Sequence, residues 1–218
     1  MTNKLGATLL VVLAASAVCT AETRMAVSIA GHPAGYATLS QKLQQDGSKD
    51  VELRLELTAP NSKVRITSQA RYDSMGLPIR KFQETTGPGT QHLQVVITFG
   101  KDGASVVSLN NDKRSVKNIP LVATAPRASL SEFWFIRDMP KQGQVEKTYQ
   151  FNADSLEWEI VTIEYHGKRK LKVEGHSVDV HEVVTKRGDK ETTSYVDNQG
   201  LPVLVDLGNV KMVKIWPK

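Results

Sequence analysis

Residues 158–207, WEIVTIEYHGKRKLKVEGHSVDVHEVVTKRGDKETTSYVDNQGLPVLVDL, decide the fold. Apolar and polar residues alternate along Trp158 to His166, Arg169 to Val173, Ser177 to Lys186, Glu191 to Val196 and Pro202 to Leu207. That period of two is the mark of strands with one buried face. Between them stand His166-Gly167, Glu174-Gly175, Arg187-Gly188-Asp189 and Asp197-Asn198-Gln199-Gly200. Each pairs a glycine with a polar neighbour, the chemistry of a tight reversal. Strands joined so tightly must run antiparallel, so the segment reads as a meander.

The same alternation extends toward the N-terminus. Met25 to Ile29 and Tyr36 to Leu43 flank the turn Gly31-His32-Pro33-Ala34-Gly35, and Val51, Leu53, Leu55 and Leu57 alternate with charged residues in the clearest strand of the chain. Lys63 to Tyr72 follows, its inward face shrinking from Val64 and Ile66 to Ser68 and Ala70, which suits a bend in a curved sheet. Leu77 to Thr85, His92 to Phe99, Ala104 to Leu109 and Lys147 to Asn152 complete the strands. Residues 110–128, with Pro120 and Pro126, are the least patterned and form the seam between two halves. Ser129-Leu130-Ser131-Glu132 is a capping box, and Pro140 ends what it starts, so one short helix is predicted at about 129–137. It is too short to be stable alone, and Phe133 to Ile136 make it apolar nearly all round, so it should plug an opening in the sheet. The expected fold is mainly β: a highly curved antiparallel sheet or partly open β-barrel with that one helix.

The first 21 residues carry a single charge, Lys4, then the apolar run Leu9 to Ala15 and small residues to Ala21. This is the layout of a secretory signal peptide cleaved after Ala21 or Ala17, and its apolar run falls short of the ~20 residues of a membrane span. Residues 1–21 are therefore read as the leader and 22–218 as one β-rich domain, exported to the periplasm or beyond, with no transmembrane segment. A rival reading makes the single cysteine, Cys19, the lipidated first residue of a lipoprotein. Val18 fits this less well, because the residue before such a cysteine is normally Gly, Ala or Ser. Cleavage after Ala21 leaves no cysteine, which removes disulfides and thiol chemistry together. The precursor charge of +5 is too mild and too scattered for nucleic-acid binding.

One motif occurs twice, Asp73-Ser74-Met75-Gly76-Leu77-Pro78 and Asp197-Asn198-Gln199-Gly200-Leu201-Pro202. In each, the acid can accept amide hydrogen bonds, the glycine can take positive φ, and the proline opens the outgoing strand where no ladder donor is needed. With this motif the chain resembles a family of exported bacterial β-proteins of unknown function. Members open with a strand, a Gly turn and a Gly-aromatic strand, matched by Val27 to Gly31 and Gly35-Tyr36. A short aromatic helix and a Pro and Gly turn lead into a Tyr or Phe strand, matched by Trp134 to Arg137, Pro140, Gly143, Tyr149 and Phe151. A valine-rich meander and an aromatic-x-Asp-x-x-Gly-Leu-Pro turn close them, matched by Val173 to Val184 and Tyr195 to Pro202. The resemblance implies a curved sheet similar to the open barrels of periplasmic lipoprotein carriers, which hold acyl chains. Its motifs are turns, and they are silent on chemistry.

Candidate sites are sparse. The histidines His32, His92, His166, His176 and His181 do not converge locally, and His176 and His181, five apart in a strand, point to opposite faces. Asp179 and His181 share a face but lack a third ligand nearby. No nucleophile elbow, P-loop or dinucleotide fingerprint occurs. We therefore assign no catalytic, cofactor or metal residues and expect no enzyme. Phe99, Trp134, Phe135, Phe151 and Trp158 are candidates to line an apolar cavity or to fill the core. Lys168, Lys170, Lys172, Lys186, Arg187 and Lys190 are candidates for a basic patch toward anionic headgroups or glycans, or for an ordinary solvated face. The reading is a non-catalytic periplasmic protein that binds a lipid or acyl chain inside the curve. The alternatives are an envelope interaction module and an envelope-polymer hydrolase.

Overall fold

A computed structural model describes residues 19–59, 62–87, 92–111, 113–121, 138–152 and 155–217. In chain order the strands are β1 (Cys19–Ile29), β2 (His32–Leu43), β3 (Lys49–Ala59), β4 (Ser62–Tyr72), β5 (Pro78–Thr86), β6 (Leu93–Gly100), β7 (Gly103–Asn110), β8 (Lys113–Pro120), β9 (Gln144–Asn152), β10 (Glu157–Val173), β11 (His176–Arg187), β12 (Lys190–Val196), β13 (Pro202–Asp206) and β14 (Val210–Lys214). They form one 14-stranded sheet in the order β8-β7-β6-β5-β4-β3-β2-β1-β14-β13-β12-β11-β10-β9. Every neighbouring pair is antiparallel, and only β1 with β14 joins strands distant in sequence. Two meanders are thus stitched along one long-range ladder.

No helix occurs among the described residues, and the helix expected at 129–137 lies outside them. Three other expectations change. The His166-Gly167 turn is instead a bulge inside one 17-residue strand, β10, whose register shifts between Tyr165 and Gly167. The presumed seam at 110–128 contains β8, whose polar residues are nearly all exposed because it is an edge strand with no buried face to create a pattern. The first hairpin turns at Ala30-Gly31, both at positive φ, ahead of the predicted Gly31 to Gly35 loop.

Register shows how one face stays apolar across the sheet. Thr85, Ile66, Leu55, Ala37 and Met25 stand in successive cross-strand pairs, and Val27, Met212, Val205, Ser194, Val183 and Tyr165 continue the row to β10. Met25, Val27 and Ala37 are buried in the middle of this face, and Val161, Ile163, Tyr165, Val183 and Val196 at one end. At the bulge the pattern crosses over. Leu171 and Val173 beyond it pack with Val178, Val180, Val203, Tyr195 and Trp216 on the opposite side. A one-residue slip in pairing moves every following side chain to the other face, so the tip of the β10–β11 hairpin builds a second, smaller core.

The sheet is not closed: β8 and β9 are its two ends. The ends meet through side chains. Phe151 of β9 packs on Val95, Ile97, Ala104 and Val106 of β6 and β7, with Phe99, Leu156 and Trp158 around it. Trp158 pairs with Phe151, whereas Val161, three residues on, points the other way and is fully buried. Both faces of β10 are covered there, as in a sheet whose ends overlap.

Candidate functional site

The aromatic residues singled out from sequence converge where they are described. Trp158 stacks on Tyr149 at 5.5 Å and meets Phe151 at 5.2 Å and Phe99 at 6.1 Å, both edge to face. Their partners are the buried valines and isoleucine of β6 and β7, so this cluster fills the overlap of the sheet ends. Trp134 and Phe135 lie outside the described residues.

The concave face carries a different apolar surface. Leu53, Leu55 and Leu57 of β3, Val64 and Ile66 of β4, and Val205 and Met212 beside β1 are only half-buried, although Met25, Val27 and Ala37 between them are buried. Large aliphatic side chains in an unbroken cross-strand row, half-buried on either side of a buried centre, form a wall that apolar matter can lie against. The alternation in β3 announced these leucines as inward-facing. Their incomplete cover was invisible without the neighbouring strands.

The basic residues do not form one patch. Lys168, Lys170 and Lys172 are exposed on the hairpin arm beyond the bulge, cross-strand from His181, Asp179 and Ser177. Lys186, Arg187 and Lys190 stand at the far end of β11, about 17 Å from Lys168 and about 33 Å from Lys172 at ~3.3 Å per residue. Arg187 is engaged with Glu159 at 2.8 Å and Gln150 at 3.0 Å, and Lys186 with Glu191 at 3.5 Å. Arg187-Gly188-Asp189 is a hairpin tip.

Of the histidines, His92 contacts Glu84 at 2.7 Å, His166 lies between Glu164 and Glu182, and His176 stacks on Trp216 at 4.6 Å. Among the described residues no three His, Cys, Asp or Glu side chains gather as metal ligands. His181 is the one buried histidine, 5% exposed, with Nδ1 2.9 Å from the Tyr165 hydroxyl and Nε2 3.1 Å from Asn198 Oδ1. Asn198 Oδ1 can only accept, so Nε2 carries the proton and Nδ1 accepts from Tyr165. Burial holds the imidazole below its ordinary pKa and Lys168 adds to this, while the Asn198 bond and Asp197 oppose it. The unfolded chain therefore takes up the proton first as pH falls. Stability is unaffected well above pH ~6.5 and declines as pH drops through it. Melting followed from pH 7.5 to 5.5 is expected to show that decline, and His181→Gln is expected to flatten it.

Both Asp-x-x-Gly-Leu-Pro turns fold as their residues dictate. Asp73 Oδ1 accepts from the Met75 and Leu77 amides at 2.9 and 2.8 Å, and Asp197 Oδ1 from the Gln199 and Leu201 amides at 2.9 Å. Gly76 and Gly200 take φ of 80° and 81°. Each turn follows a register shift, Arg71/Tyr72 and Tyr195/Val196.

No protein-family model and no curated protein sequence matches the chain. Among solved structures it is similar to a β-barrel-like protein of the domain of unknown function DUF1849 from Brucella abortus, with a TM-score of 0.58 at 9% identity over 91% of this chain and 96% of that one. The fold is barrel-like. A protein of the DUF1089 family from Pseudomonas aeruginosa gives a TM-score of 0.41 at 12% identity over 95% and 98% of the two chains. The barrel-like sheet here departs from a closed barrel at the overlap of its ends. No described helix is long and apolar enough to cross a membrane.

Proposed function

We propose that this barrel-like chain is a non-catalytic protein of the cell envelope that holds a lipid or acyl chain against its concave wall. The observation that carries the reading is the half-covered row of Leu53, Leu55, Leu57, Val64 and Ile66. At ~25 cal/mol per Å2 of apolar surface removed from water, a chain laid along such a row gains several kcal/mol without any specific polar contact. The signal-like N-terminus supports an envelope location. Strand β1 begins at Cys19, whose partner is Leu43, so cleavage after Ala17 keeps the β1–β2 ladder whole and is the site the reading favours over Ala21.

Native mass spectrometry of the protein purified from its own envelope is the test, since it reports the cleavage site and any bound lipid together. Leu55→Glu is expected to keep a β-type circular dichroism spectrum and to bind cis-parinaric acid at least about tenfold more weakly than the parent. A parent protein that emerges unliganded and takes up no cis-parinaric acid sinks the proposal.

A second reading, an interaction module, rests on β8. This edge strand exposes Lys113, Arg114, Val116 and Lys117. Edge strands offer unpaired backbone groups to a partner, and the lysines restrain indiscriminate pairing. Co-purification of a protein partner lost on Val116→Pro would favour it.

A further inference from the structure

A trough of about 620 Å3 lies on the opposite face of the sheet from the leucine wall, over β1 to β5. Two cross-strand rows line it. The first is Thr20, Lys42, Asp50, Arg71 and Arg80; the second is Ser40, Glu52, Gln69 and Phe82. Backbone of Val51 and Ala70 lies between the rows, because their side chains belong to the other face.

The electrostatics of the first row are unusual. Arg71 and Arg80 are directly opposite on adjacent strands. Like charges so placed repel, and a sequence under selection for stability alone has no use for the pair. The acids relieve it only in part and on the Arg71 side, where Asp46 and Asp50 both act. Asp50 receives a 2.6 Å hydrogen bond from Gln44 and only a 3.9 Å contact from Arg71, and Glu52 is taken by Arg54 and by Gln69 at 3.1 Å. Three cations therefore face a trough in which both acids are already engaged, and Phe82 supplies an apolar patch beside them. The volume is far larger than a bare ion requires and lies within the range of small-molecule sites.

We infer that this trough binds a phosphate ester, its phosphate held by the Arg71 and Arg80 guanidinium groups and its organic part resting against Phe82. Two guanidinium groups match the geometry of a phosphate by paired N–H donors, and an anion between them converts their repulsion into attraction. Lys42 contributes a point charge at the trough's edge. The inference is independent of the leucine wall, which lies on the other face.

The test is calorimetric titration of the full protein with phenyl phosphate and with inorganic phosphate. Phenyl phosphate is expected to bind more tightly because only it reaches Phe82. Arg71→Gln and Arg80→Gln are each expected to weaken it roughly 10- to 100-fold. Asp50→Asn, which removes a competing acid, is expected to strengthen it several-fold. Arg80→Gln should also raise the melting temperature of the ligand-free protein, which a purely structural arginine would not do. Cosedimentation with phosphatidylglycerol vesicles separates the sources: arginine-dependent retention assigns the site to a headgroup, and phenyl phosphate binding without retention assigns it to a free ester. Absence of saturable binding in both assays, or binding unchanged by both arginine substitutions, overturns the inference.

Discussion

Gly35→Ala is expected to cost about 3–5 kcal/mol, a large part of the ~5–15 kcal/mol that holds a domain folded. A Cβ at this position would lie 1.9 Å from the carbonyl oxygen of Glu56 and 2.9 Å from its carbon. Both are backbone atoms of the paired strand β3, so no side-chain rotation relieves the overlap. Gly35 also holds φ at 153°, a conformation that residues with a Cβ rarely adopt. The strain falls between β1 and β3, where Val27 pairs with Gly35 and Gly35 with Leu57, beside the buried Met25, Val27 and Ala37. Thermal melting should drop by roughly 10 °C or more, at ~2–4 °C per kcal/mol for a chain of this size. An alanine variant melting within a degree or two of the parent would show that β2 and β3 separate more cheaply than the geometry allows.

Asp197→Ala is expected to cost about 2–4 kcal/mol and Asp73→Ala about 1–2 kcal/mol, although the two carboxylates make the same pair of amide bonds. Surroundings make the difference. The outer amide of each turn, Met75 and Gln199, is exposed, but the inner one of the first turn, Leu77, is only half-buried, so water can replace the lost acceptor there. In the second, Leu201 is 3% exposed, and the Gly200 carbonyl accepts a bond from the buried Gln41 amide at 3.1 Å. Removing Asp197 leaves the Leu201 amide unsatisfied in a packed setting, and it loosens a turn that ties β2 to β13. Urea unfolding of the two variants side by side reads the gap directly. Equal losses would mean that burial does not set the value of these turns.

The glycines and turns also show how much was legible in sequence. Gly35-Tyr36 and the two Asp-x-x-Gly-Leu-Pro segments were visible as motifs, and the turns follow from local chemistry alone: a carboxylate two to four residues before the amides it accepts from, and a glycine where φ must be positive. Strand alternation was equally local, and it placed Leu53, Leu55 and Leu57 on one face before any neighbour was known. What sequence hid were features whose cause lies in another strand. Strand β8 has no buried face, so it left no pattern. The bulge in β10 looked like a turn because His166-Gly167 has turn composition. Only its pairing with β11 shows that the chain continues and swaps faces. The row of β14 was missed because its short alternation at Val210 to Lys214 gains meaning only when β1 lies beside it.

The same division applies to the candidate sites. Sequence offered Phe99, Phe151 and Trp158 as lining for a cavity or as core, and in the structure Phe151 is buried while Phe99 and Trp158 pack partly buried around it. Whether a protein side chain or a ligand covers them depended on how far the sheet curls, and that brings β9 onto β6 and β7. The Arg71–Arg80 pair was unreadable in one dimension, because residues nine apart become nearest neighbours only when β4 and β5 pair with a register shift at Tyr72.

Sequence alone determined that most of this chain forms antiparallel strands, where most of them turn, and which face is apolar in the strands that alternate, because side-chain alternation and turn conformations are decided within a few residues. The tertiary structure decided that the ends overlap without closing, that the leucine wall stays half-covered, and that two arginines share one trough. Each of these depends on curvature and register summed over fourteen strands, a sum to which every strand contributes and which none determines.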